Sequence, residues 1–502
     1  MEENKAVRDR DGYFSLSALV DSFGGRLTVK GCGGNGDRRV DEIVIDSRRV
    51  GKSSLFVALT GEHEDGERYL ADAFRRGAVA VLCRKGGADR INAFGAYIEV
   101  EDPLHSLVQA AKKARVDSDF FVVGITGSVG KTTVKELCIQ TLSGRYPTDG
   151  TDGNYNNLLG LSLSILNAFG VDKMNELRGK SWENARKRLV LEMGISHKGE
   201  MEGLADIARP DLAIITGVGK MHAEHLGGRA GIASEKAKIL LYGAERVICP
   251  CDDTVFGQVF TYVGRERVIT LSCSENAGLS GVTHAQIKRD IADGDFSLIL
   301  SDKIGHNTEY GRFTAPIVGE HGIWDSAMAA LLGWSTGVSC DEVRCGLSSF
   351  RPASMRQEIQ TDGEVTRIVD CYNSGPESAR AALSALSEYA RKNGCARRIA
   401  VLGDMLELGV ISEKEHFMLG EELLSYGVDL LFTVGERSET IADGAASGGL
   451  PEACIVRFGS DTPHEAVKAR IESALRAGDV ILYKASRGIG LEKVIPENIK
   501  RG

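Results

Sequence analysis

One eight-residue segment has the composition of a phosphate-binding loop. It reads Thr126-Gly-Ser-Val-Gly-Lys-Thr-Thr133 and follows an apolar run of strand character. Glycines allow successive backbone N–H groups to surround phosphate oxygens, and the N-terminus of a following helix adds partial positive charge. Lys131 would reach the β- and γ-phosphates, and the Thr132 hydroxyl would bind Mg²⁺. The spacing predicts a nucleoside triphosphate site formed by Thr126, Gly127, Ser128, Val129, Gly130, Lys131, Thr132 and Thr133.

This loop departs from the general phosphate-loop pattern at one position. The pattern places glycine five residues before Gly130, and this chain has Ile125 there. The segment keeps the narrower form Thr-Gly-x-x-Gly-Lys-Thr-Thr. The alternative interpretation is a glycine-rich turn between a strand and a helix that binds no nucleotide.

Three polar clusters follow in the middle of the chain. Glu192 ends an otherwise apolar strand-like run, where a carboxylate is costly unless it meets a partner such as a cation or an ion-pairing side chain. His222 and His225 could suggest zinc, but the segment lacks the His-Glu-x-x-His pattern and a third soft ligand nearby. A capping or surface histidine is an equal alternative to a catalytic one. Lys236, taken alone, fits a solvated helix face.

The last third of the chain has three polar segments, each placed just after a predicted buried strand. They are Asp370-Cys-Tyr-Asn373, Gly403-Asp-Met-Leu-Glu-Leu-Gly409 and Lys484-Ala-Ser-Arg487. Ligands of parallel α/β sheets bind at the carboxyl ends of the strands, so these segments are candidates for substrate binding. Arg356 precedes them, and an isolated arginine is by itself most often solvated.

The elements that must position these residues form three regions. The first contains short strand-like pieces and one helical segment, which is typical of a small mixed α/β domain. In the second, apolar strands at 119–125, 188–193 and 211–216 alternate with helical patterns, which favours a parallel sheet covered on both faces. The third repeats this alternation. We therefore predict an α/β protein with a small mixed N-terminal domain, a central phosphate-loop ATPase domain with a parallel sheet, and a doubly wound, Rossmann-like C-terminal domain, at residues 1–115, 116–348 and 349–502.

Composition and charge exclude several classes of protein. The chain has 502 residues, of which 42% are hydrophobic and 26% charged, which excludes a disordered chain. No apolar run reaches the roughly 18 residues of a membrane-spanning helix, and the first ten residues do not resemble a secretory signal. The net charge of −9 argues against nucleic acid or membrane surfaces as partners. Eleven cysteines without a short repeated spacing favour free thiols and a cytoplasmic protein.

Together these motifs resemble the Mur ligases, the ATP-dependent amide ligases of peptidoglycan precursor synthesis. The resemblance covers nearly the whole chain. Thr126–Thr133 matches the family's ATP loop, and Asp46-Ser-Arg48 with Leu55–Gly61 and Asp65-Gly66 is similar to its uridine-nucleotide-binding domain. The branch that adds D-alanyl-D-alanine to a UDP-muramoyl tripeptide is matched by Gly153–Asn157, Glu192-Met-Gly194, Gly199-Glu200, Asp370–Asn373 and Gly403–Gly409. The Asp-Asn-Pro-Arg motif of the diamino-acid-adding branch is absent from the sequence.

The resemblance implies roles for the central residues. Lys131, Glu192, His222 and Lys236 would be catalytic. Thr132 and Glu192 would hold one Mg²⁺, and Glu192, His222 and Lys236 a second. In most of the family the lysine aligned with Lys236 is carbamylated by CO₂, which converts a cation into a metal-binding carboxylate.

The resemblance also implies the substrate contacts. Arg356 would contact the γ-phosphate and Asp370 the ribose of ATP. The positions that match the family's substrate-binding motifs are Ser47, Arg48, Asn154, Asn156, Asn157, Asp404, Glu407, Ser486 and Arg487. The expected partners are the two small-molecule substrates, a UDP-muramoyl peptide and D-alanyl-D-alanine, and we expect a monomer.

Several motif positions depart from the family. The adenine-contacting His-Asn-x-x-Asn stretch reads His321-Gly-Ile-Trp-Asp325, so Gly322 and Asp325 replace two asparagines. Gly375 replaces an asparagine in the family's Tyr-Asn-Ala-Asn-Pro stretch, Ala485 a glycine in its Lys-Gly-Ser-Arg, and Gly217 an asparagine before the histidine loop. The metal ligands and the loop lysine are retained.

Two alternatives therefore remain open beside the D-alanyl-D-alanine-adding ligase. One is a Mur-type ligase with another amino acceptor or acid substrate. The other is a nucleotide-binding relative without ligase activity, against which the retention of Lys131, Thr132, Glu192, His222 and Lys236 argues.

Overall fold

The computed structural model of the chain describes residues 14–30, 38–61, 64–90, 94–168, 186–219, 226–274, 281–289, 294–302, 306–496 and 500–501. Its strands form three large sheets, of five, nine and seven strands, in the order of the three predicted regions. Within these ranges, no helix combines the length and the apolar character needed to cross a lipid bilayer.

The first sheet is mixed and has the strand order β2-β7-β6-β5-β4. Strands β4 to β7 pair in parallel, and β2 adds an antiparallel edge. Its elements, with the short β1–β3 pair, are β1 Phe14–Ser15, α1 Leu16–Phe23, β2 Arg26–Lys30, β3 Arg39–Val40, β4 Glu42–Val44, β5 Ser54–Val57, α2 Leu70–Arg76, β6 Ala80–Arg84, α3 Gly87–Arg90, β7 Gly95–Val100 and α4 Pro103–Asp117.

Helix α4 joins the first region to the second. Asp102 caps it by accepting hydrogen bonds from the backbone N–H groups of residues 104 and 105, and Pro103 occupies its first turn, where no N–H is needed. The helix packs on α1 and on helices of the central region, in one continuous apolar core that includes Leu107, Leu161 and Met201. The predicted boundary at residue 115 lies within this helix and stays a prediction.

The central sheet has nine strands in the order β16-β15-β14-β13-β12-β11-β8-β10-β9. Seven of them are parallel, with fully buried runs such as Leu212–Ile215. Its elements are β8 Phe121–Thr126, α5 Lys131–Ser143, β9 Thr148–Gly150, α6 Leu158–Asn167, β10 Arg188–Glu192, α7 Glu200–Ala208, β11 Leu212–Ile215, α8 Gly228–Ala237, β12 Arg246–Pro250, α9 Asp253–Val259, β13 Val268–Ser272, β14 Thr283–Arg289, β15 Asp295–Ser301, β16 Asn307–Thr314, α10 Glu320–Ser335 and α11 Cys340–Ser348.

The third sheet has the order β21-β20-β19-β22-β18-β17-β23. Its strands from β21 to β18 are parallel, and β17 and β23 extend it antiparallel. The elements are β17 Glu358–Asp362, β18 Val365–Val369, α12 Pro376–Asn393, β19 Arg397–Gly403, α13 Ser412–Glu421, β20 Leu430–Val434, α14 Ser438–Ser447, β21 Ile455–Phe458, α15 His464–Glu472, β22 Asp479–Lys484 and β23 Lys500–Arg501. Apolar clusters cover both faces of this sheet.

The predicted fold class is confirmed: three α/β regions, the last two built on largely parallel sheets. The antiparallel strands β15 and β16 at the edge of the central sheet were not predicted. The boundary at residue 348 coincides with the end of α11, but the division into 116–348 and 349–502 stays a prediction.

Candidate active site

The phosphate loop lies between the central strand β8 and helix α5. Two glycines of the loop have positive φ angles: 157° at Gly127 and 83° at Gly130, which caps the N-terminus of α5. A Cβ on Gly130 would lie 2.6 Å from Asp325 Oδ1, so both the left-handed backbone and the space require glycine there. Ser128 N donates to Gly217 O at 2.9 Å, which fixes the loop to the segment after β11.

Two buried lysine amines meet at this loop. Lys131 Nζ and Lys236 Nζ donate to the same carbonyl oxygen, Gly127 O, at 2.8 and 2.9 Å. Burial lowers the pKa of Lys131, while the Glu192 carboxylate acts in the opposite direction. Burial, with repulsion from Lys131, holds the pKa of Lys236 well below its ordinary value. Lys236 is therefore set up to be a neutral amine.

A buried carboxylate lies on the other side of the loop. Glu192 ends β10, which pairs directly with β8, and its side chain is almost fully buried. Its Oε2 accepts from Thr132 Oγ1 at 2.7 Å, and its Oε1 accepts from Asn156 Nδ2 at 2.9 Å. The hydroxyl comes from the first turn of α5 and the carboxylate from the end of β10, and both are oxygen ligands of the kind that Mg²⁺ prefers.

The segment that carries Asn156 is held by a lysine that the sequence analysis did not single out. Lys135 is completely buried, and its Nζ donates to Thr151 O at 2.7 Å and to Gly153 O at 3.4 Å. It also pairs with Glu136 at 2.8 Å. One signal could have identified it: Lys135 follows Lys131 by four residues and therefore lies on the same side of α5.

The third region brings its own polar groups to the same place. The Arg356 guanidinium lies 4.0 Å from the centre of the Tyr372 ring. Lys484 Nζ pairs with Asp370 at 2.9 Å and donates to Asn373 O at 2.7 Å. Asp370 and Asn373 follow β18, and Lys484 ends β22, its neighbour in the sheet, as the rule on strand ends predicts.

These groups surround one cavity of about 870 Å³. The cavity is bounded by the phosphate loop, by the ends of β10 and α8, and by the third region. Of the predicted site residues, those that line it are Gly127, Ser128, Val129, Gly130, Lys131, Thr132, Thr133, Asn156, Asn157, Glu192, Lys236, Arg356, Asp370 and Glu407.

The other predicted residues lie elsewhere. Ser47 and Arg48 lie in a short helical turn at the first sheet, where Arg48 pairs with Asp46 at 2.7 Å. Asn154 is exposed, and Thr126 is buried in β8. Three predicted substrate-binding residues of the third region do not line the cavity: Asp404, Ser486 and Arg487. His222, with its neighbour His225, lies outside the described residues.

Asp325 is one of the departures that lie against the loop. It lies on α10, lines the cavity beside Gly130, and is 4% exposed. Burial raises the pKa of its carboxyl well above the ordinary value. The second departure on this helix has a steric cause, because a Cβ on Gly322 would lie 2.2 Å from Ile317 O. The asparagine of the family pattern does not fit this backbone.

Comparison with known families agrees with this geometry. The Mur ligase middle domain matches residues 125–333, and the Mur ligase glutamate ligase domain matches residues 355–487. A UDP-N-acetylmuramoyl-tripeptide–D-alanyl-D-alanine ligase of Bacillus subtilis is 31% identical over 461 residues, which are 91% of this chain and 93% of the relative. The chain belongs to the Mur ligase family.

Relatives within this family share the D-alanyl-D-alanine ligase name. The Escherichia coli enzyme of that name is 27% identical, with 96% of this Mur ligase and 97% of the relative covered. The crystal structure of MurF ligase from Thermotoga maritima in complex with ADP is 25% identical, with a TM-score of 0.69 over 91% of this chain and 96% of that one. MurF from Acinetobacter baumannii has the same fold, with a TM-score of 0.75 at 23% identity over 96% and 98% of the two chains.

Proposed function

We propose that this Mur ligase joins D-alanyl-D-alanine to a UDP-N-acetylmuramoyl tripeptide, with ATP as the energy source, in peptidoglycan precursor synthesis. The observation that carries the proposal is the single cavity onto which the phosphate loop, the Glu192 cluster and the third-region loops converge. The names of the relatives that match over nine-tenths of the chain support the same reaction.

The reaction proceeds by two displacements. The tripeptide carboxylate attacks the γ-phosphorus of ATP, and ADP leaves with the bond electrons, so that an acyl phosphate forms. The amine of D-alanyl-D-alanine then attacks the acyl carbon, the tetrahedral intermediate loses phosphate, and the amine proton passes to a base. Both reactants of the first step are anions, so the site must stabilise negative charge, and the Lys131 ammonium beside the loop supplies part of it.

The donor groups around the loop fit divalent metal ions. Glu192 is a nearly buried carboxylate whose hydrogen bonds come from an amide and from the Thr132 hydroxyl, both neutral groups, and a buried carboxylate calls for a cation. Thr132 and Glu192 would hold one Mg²⁺, and Glu192, Lys236 and His222 would hold a second. Bound there, magnesium ions would neutralise phosphate charge and orient the γ-phosphoryl group.

Lys236 can hold a metal only after it loses its positive charge. Its amine is buried against Lys131, and its lowered pKa favours the neutral form that reacts with CO₂. The nitrogen attacks the carbon of CO₂ and releases a proton, and the resulting carbamate is an anion with two oxygen ligands. We propose this modification for Lys236, on the support of that environment and of the family resemblance.

The remaining roles rest on the family resemblance and, for the residues that line the cavity, also on their position. Arg356 would contact the γ-phosphate and Asp370 the ribose, as the family resemblance implies, and both line the cavity that the phosphate loop also lines. Glu407 lines the cavity, and Asp404, Ser486 and Arg487 lie on the loops beside it, where D-alanyl-D-alanine would bind. Ser47, Arg48, Asn154, Asn156 and Asn157 would bind the UDP-tripeptide.

We further propose a cytoplasmic monomer. Ten cysteines in the described ranges are free, four of them buried, which fits a reducing compartment. The monomeric state stays a prediction from the resemblance.

ADP release with purified enzyme tests the function. We expect turnover with ATP, UDP-muramoyl tripeptide and D-alanyl-D-alanine together, and almost none when the dipeptide is left out. Lys131→Ala should lower the rate on the order of 10²–10³-fold or more, because a charge-stabilising group is lost. Turnover with other amines but not with D-alanyl-D-alanine would favour the second candidate, a different amino acceptor, to which the Gly375 departure points.

A further inference from the structure

One fully buried histidine outside the phosphate-loop site is held in a single protonation state by its neighbours. His416 lies on α13 and is 0% exposed. Its Nδ1 lies 2.7 Å from Ser412 O, a carbonyl that can only accept, so Nδ1 carries the proton. Its Nε2 lies 3.0 Å from Met405 N, a backbone N–H that can only donate, so Nε2 carries the lone pair. Both hydrogen bonds exist only in the neutral imidazole.

The bond to Met405 fixes a loop that reaches the cavity. Next to Met405, Leu406 N donates to Ser486 Oγ at 2.9 Å, and Ser486 Oγ donates to Ser374 O at 3.1 Å. Ser486 N donates to Asp404 O at 3.0 Å. These bonds link three loops that follow three strands of the third sheet, and His416 is the helix residue that secures them to α13.

The same loop contains a strained residue that faces the cavity. Glu407 lines the cavity with a φ of +62°, a left-handed conformation that costs a non-glycine residue of order 1–3 kcal/mol. Such a conformation persists only where neighbouring contacts impose it. The hydrogen bonds of the backbone N–H groups at residues 405 and 406 hold the chain immediately before it.

We propose that His416 is a positioning residue: its neutral imidazole holds the loop 404–409 in the shape that presents Glu407 to the amine substrate. The inference rests on the proposed function, in which this loop binds the incoming dipeptide. Protonation of Nε2 would set two N–H groups against each other and release Met405.

The groups around the His416 ring shift its protonation equilibrium in both directions. Burial lowers the pKa of His416 below its ordinary value, and Arg437 acts the same way. Asp404 and Glu415, together with the Ser412 carbonyl, favour the protonated ring. The neutral form therefore dominates at neutral pH. Because the pKa of His416 is lowered, the ring gains its second proton and releases the loop only at a pH below the range in which an exposed histidine titrates.

Three variants separate positioning from plain stability. His416→Met fills a similar volume without an acceptor, whereas His416→Gln keeps an oxygen that can accept from Met405 N. The matched control is Leu419→Ala, which removes a buried apolar side chain from the same helix and leaves the hydrogen bonds of the loop in place. We expect His416→Met to raise KM for D-alanyl-D-alanine on the order of tenfold and KM for ATP little, His416→Gln to recover most of that loss, and Leu419→Ala to lower Tm with KM for the dipeptide unchanged.

The pH profile adds a readout that packing alone would not change. The ratio of kcat/KM for D-alanyl-D-alanine between wild type and His416→Gln cancels the titration of the substrate amine. This ratio should be constant above neutrality and fall at acid pH. A flat ratio, an unchanged KM in His416→Met, or a Leu419→Ala variant with the same rise in KM would overturn the proposal.

Hydrogen exchange keeps the test independent of the proposed reaction. The amides of Met405 and Leu406 should exchange faster in His416→Met than in Leu419→Ala at equal temperature below both melting points. If the wild type does not use D-alanyl-D-alanine, the proposed function fails, and this comparison still decides the positioning role. Equal exchange in the two variants would overturn it.

Discussion

At the scale of single residues, the proposed chemistry depends on two lysine amines that face one carbonyl oxygen. Lys131 and Lys236 lie within hydrogen-bond distance of Gly127 O, and two ammonium groups so close would repel each other. Removing the charge of Lys236 relieves this repulsion, and a carbamate would reverse its sign. Lys131 keeps the influence of Glu192, which favours its charged form.

Chemical rescue tests the charge reversal at Lys236. Lys236→Ala should lose ligase activity on the order of 10²–10³-fold, because the anionic group proposed to hold the second Mg²⁺ is lost. Added formate or acetate should restore part of the rate by occupying the vacated volume. Lys131→Ala is the control, since a carboxylate cannot replace a cation, and its rate should not recover. Normal turnover of Lys236→Ala without added acid would refute the carbamate.

At the scale of elements, the site depends on how loops are tied to helices that begin or end beside them. The segment 151–157 has no regular structure before α6, yet its Asn156 must reach Glu192. The buried amine of Lys135 gives this segment two anchor points, at Thr151 and Gly153, on the helix that starts with the phosphate loop. The segment 151–157 is therefore held in a fixed position relative to α5.

Replacing this anchor should separate nucleotide binding from turnover. Lys135→Met leaves two carbonyls without their donor, at about 1–3 kcal/mol for a buried group, and loosens the segment that carries Asn156. We expect kcat to fall on the order of tenfold, with the Kd for ADP changed much less, because the phosphate loop itself remains. Glu136→Gln is the control, since it keeps both carbonyl bonds. Equal losses in kcat and in ADP affinity would contradict this division.

Many of the helices and strands could be predicted from the sequence, because buried parallel strands consist of uninterrupted apolar runs. The strands at 188–192 and 212–215 lie within one residue of the predicted segments. The antiparallel extension could not be predicted so easily. In β15, for example, buried and half-exposed residues alternate over Asp295–Ser301, which is typical of a strand, but this pattern does not indicate which strand β15 pairs with or in which direction.

Site residues could be predicted where a sequence motif indicates their chemical role. They could not be predicted where the role depends on contacts with residues far away in the sequence. The phosphate loop and Glu192 could be identified from residue type and position. The roles of Lys135 and His416 follow from partners that are far away or on another element, such as Gly153 O and Met405 N. Residue type alone does not reveal these partners.

At the scale of the whole molecule, residues of both the second and the third region line the cavity. The chain between α11 and β17 crosses from one to the other, and two of its residues, Met355 and Gln357, have φ angles of +60° and +52°. Arg356 lies between them and lines the cavity. Strained backbone on both sides of an arginine that lines the cavity suits a hinge, since hinges are short segments that absorb large φ/ψ changes.

Closure of these regions around the substrates should be visible in solution. An acyl phosphate hydrolyses if water reaches it, so the two regions should approach each other when the nucleotide and the UDP-tripeptide are both bound. We expect small-angle X-ray scattering to give a smaller radius of gyration with a non-hydrolysable ATP analogue plus UDP-muramoyl tripeptide than with either alone. Lys131→Ala, with weakened phosphate contacts, should show a reduced change at equal ligand concentration. A profile that stays constant while calorimetry shows both ligands bound would mean that the cavity is closed from the start and that the strained linker serves only to orient Arg356.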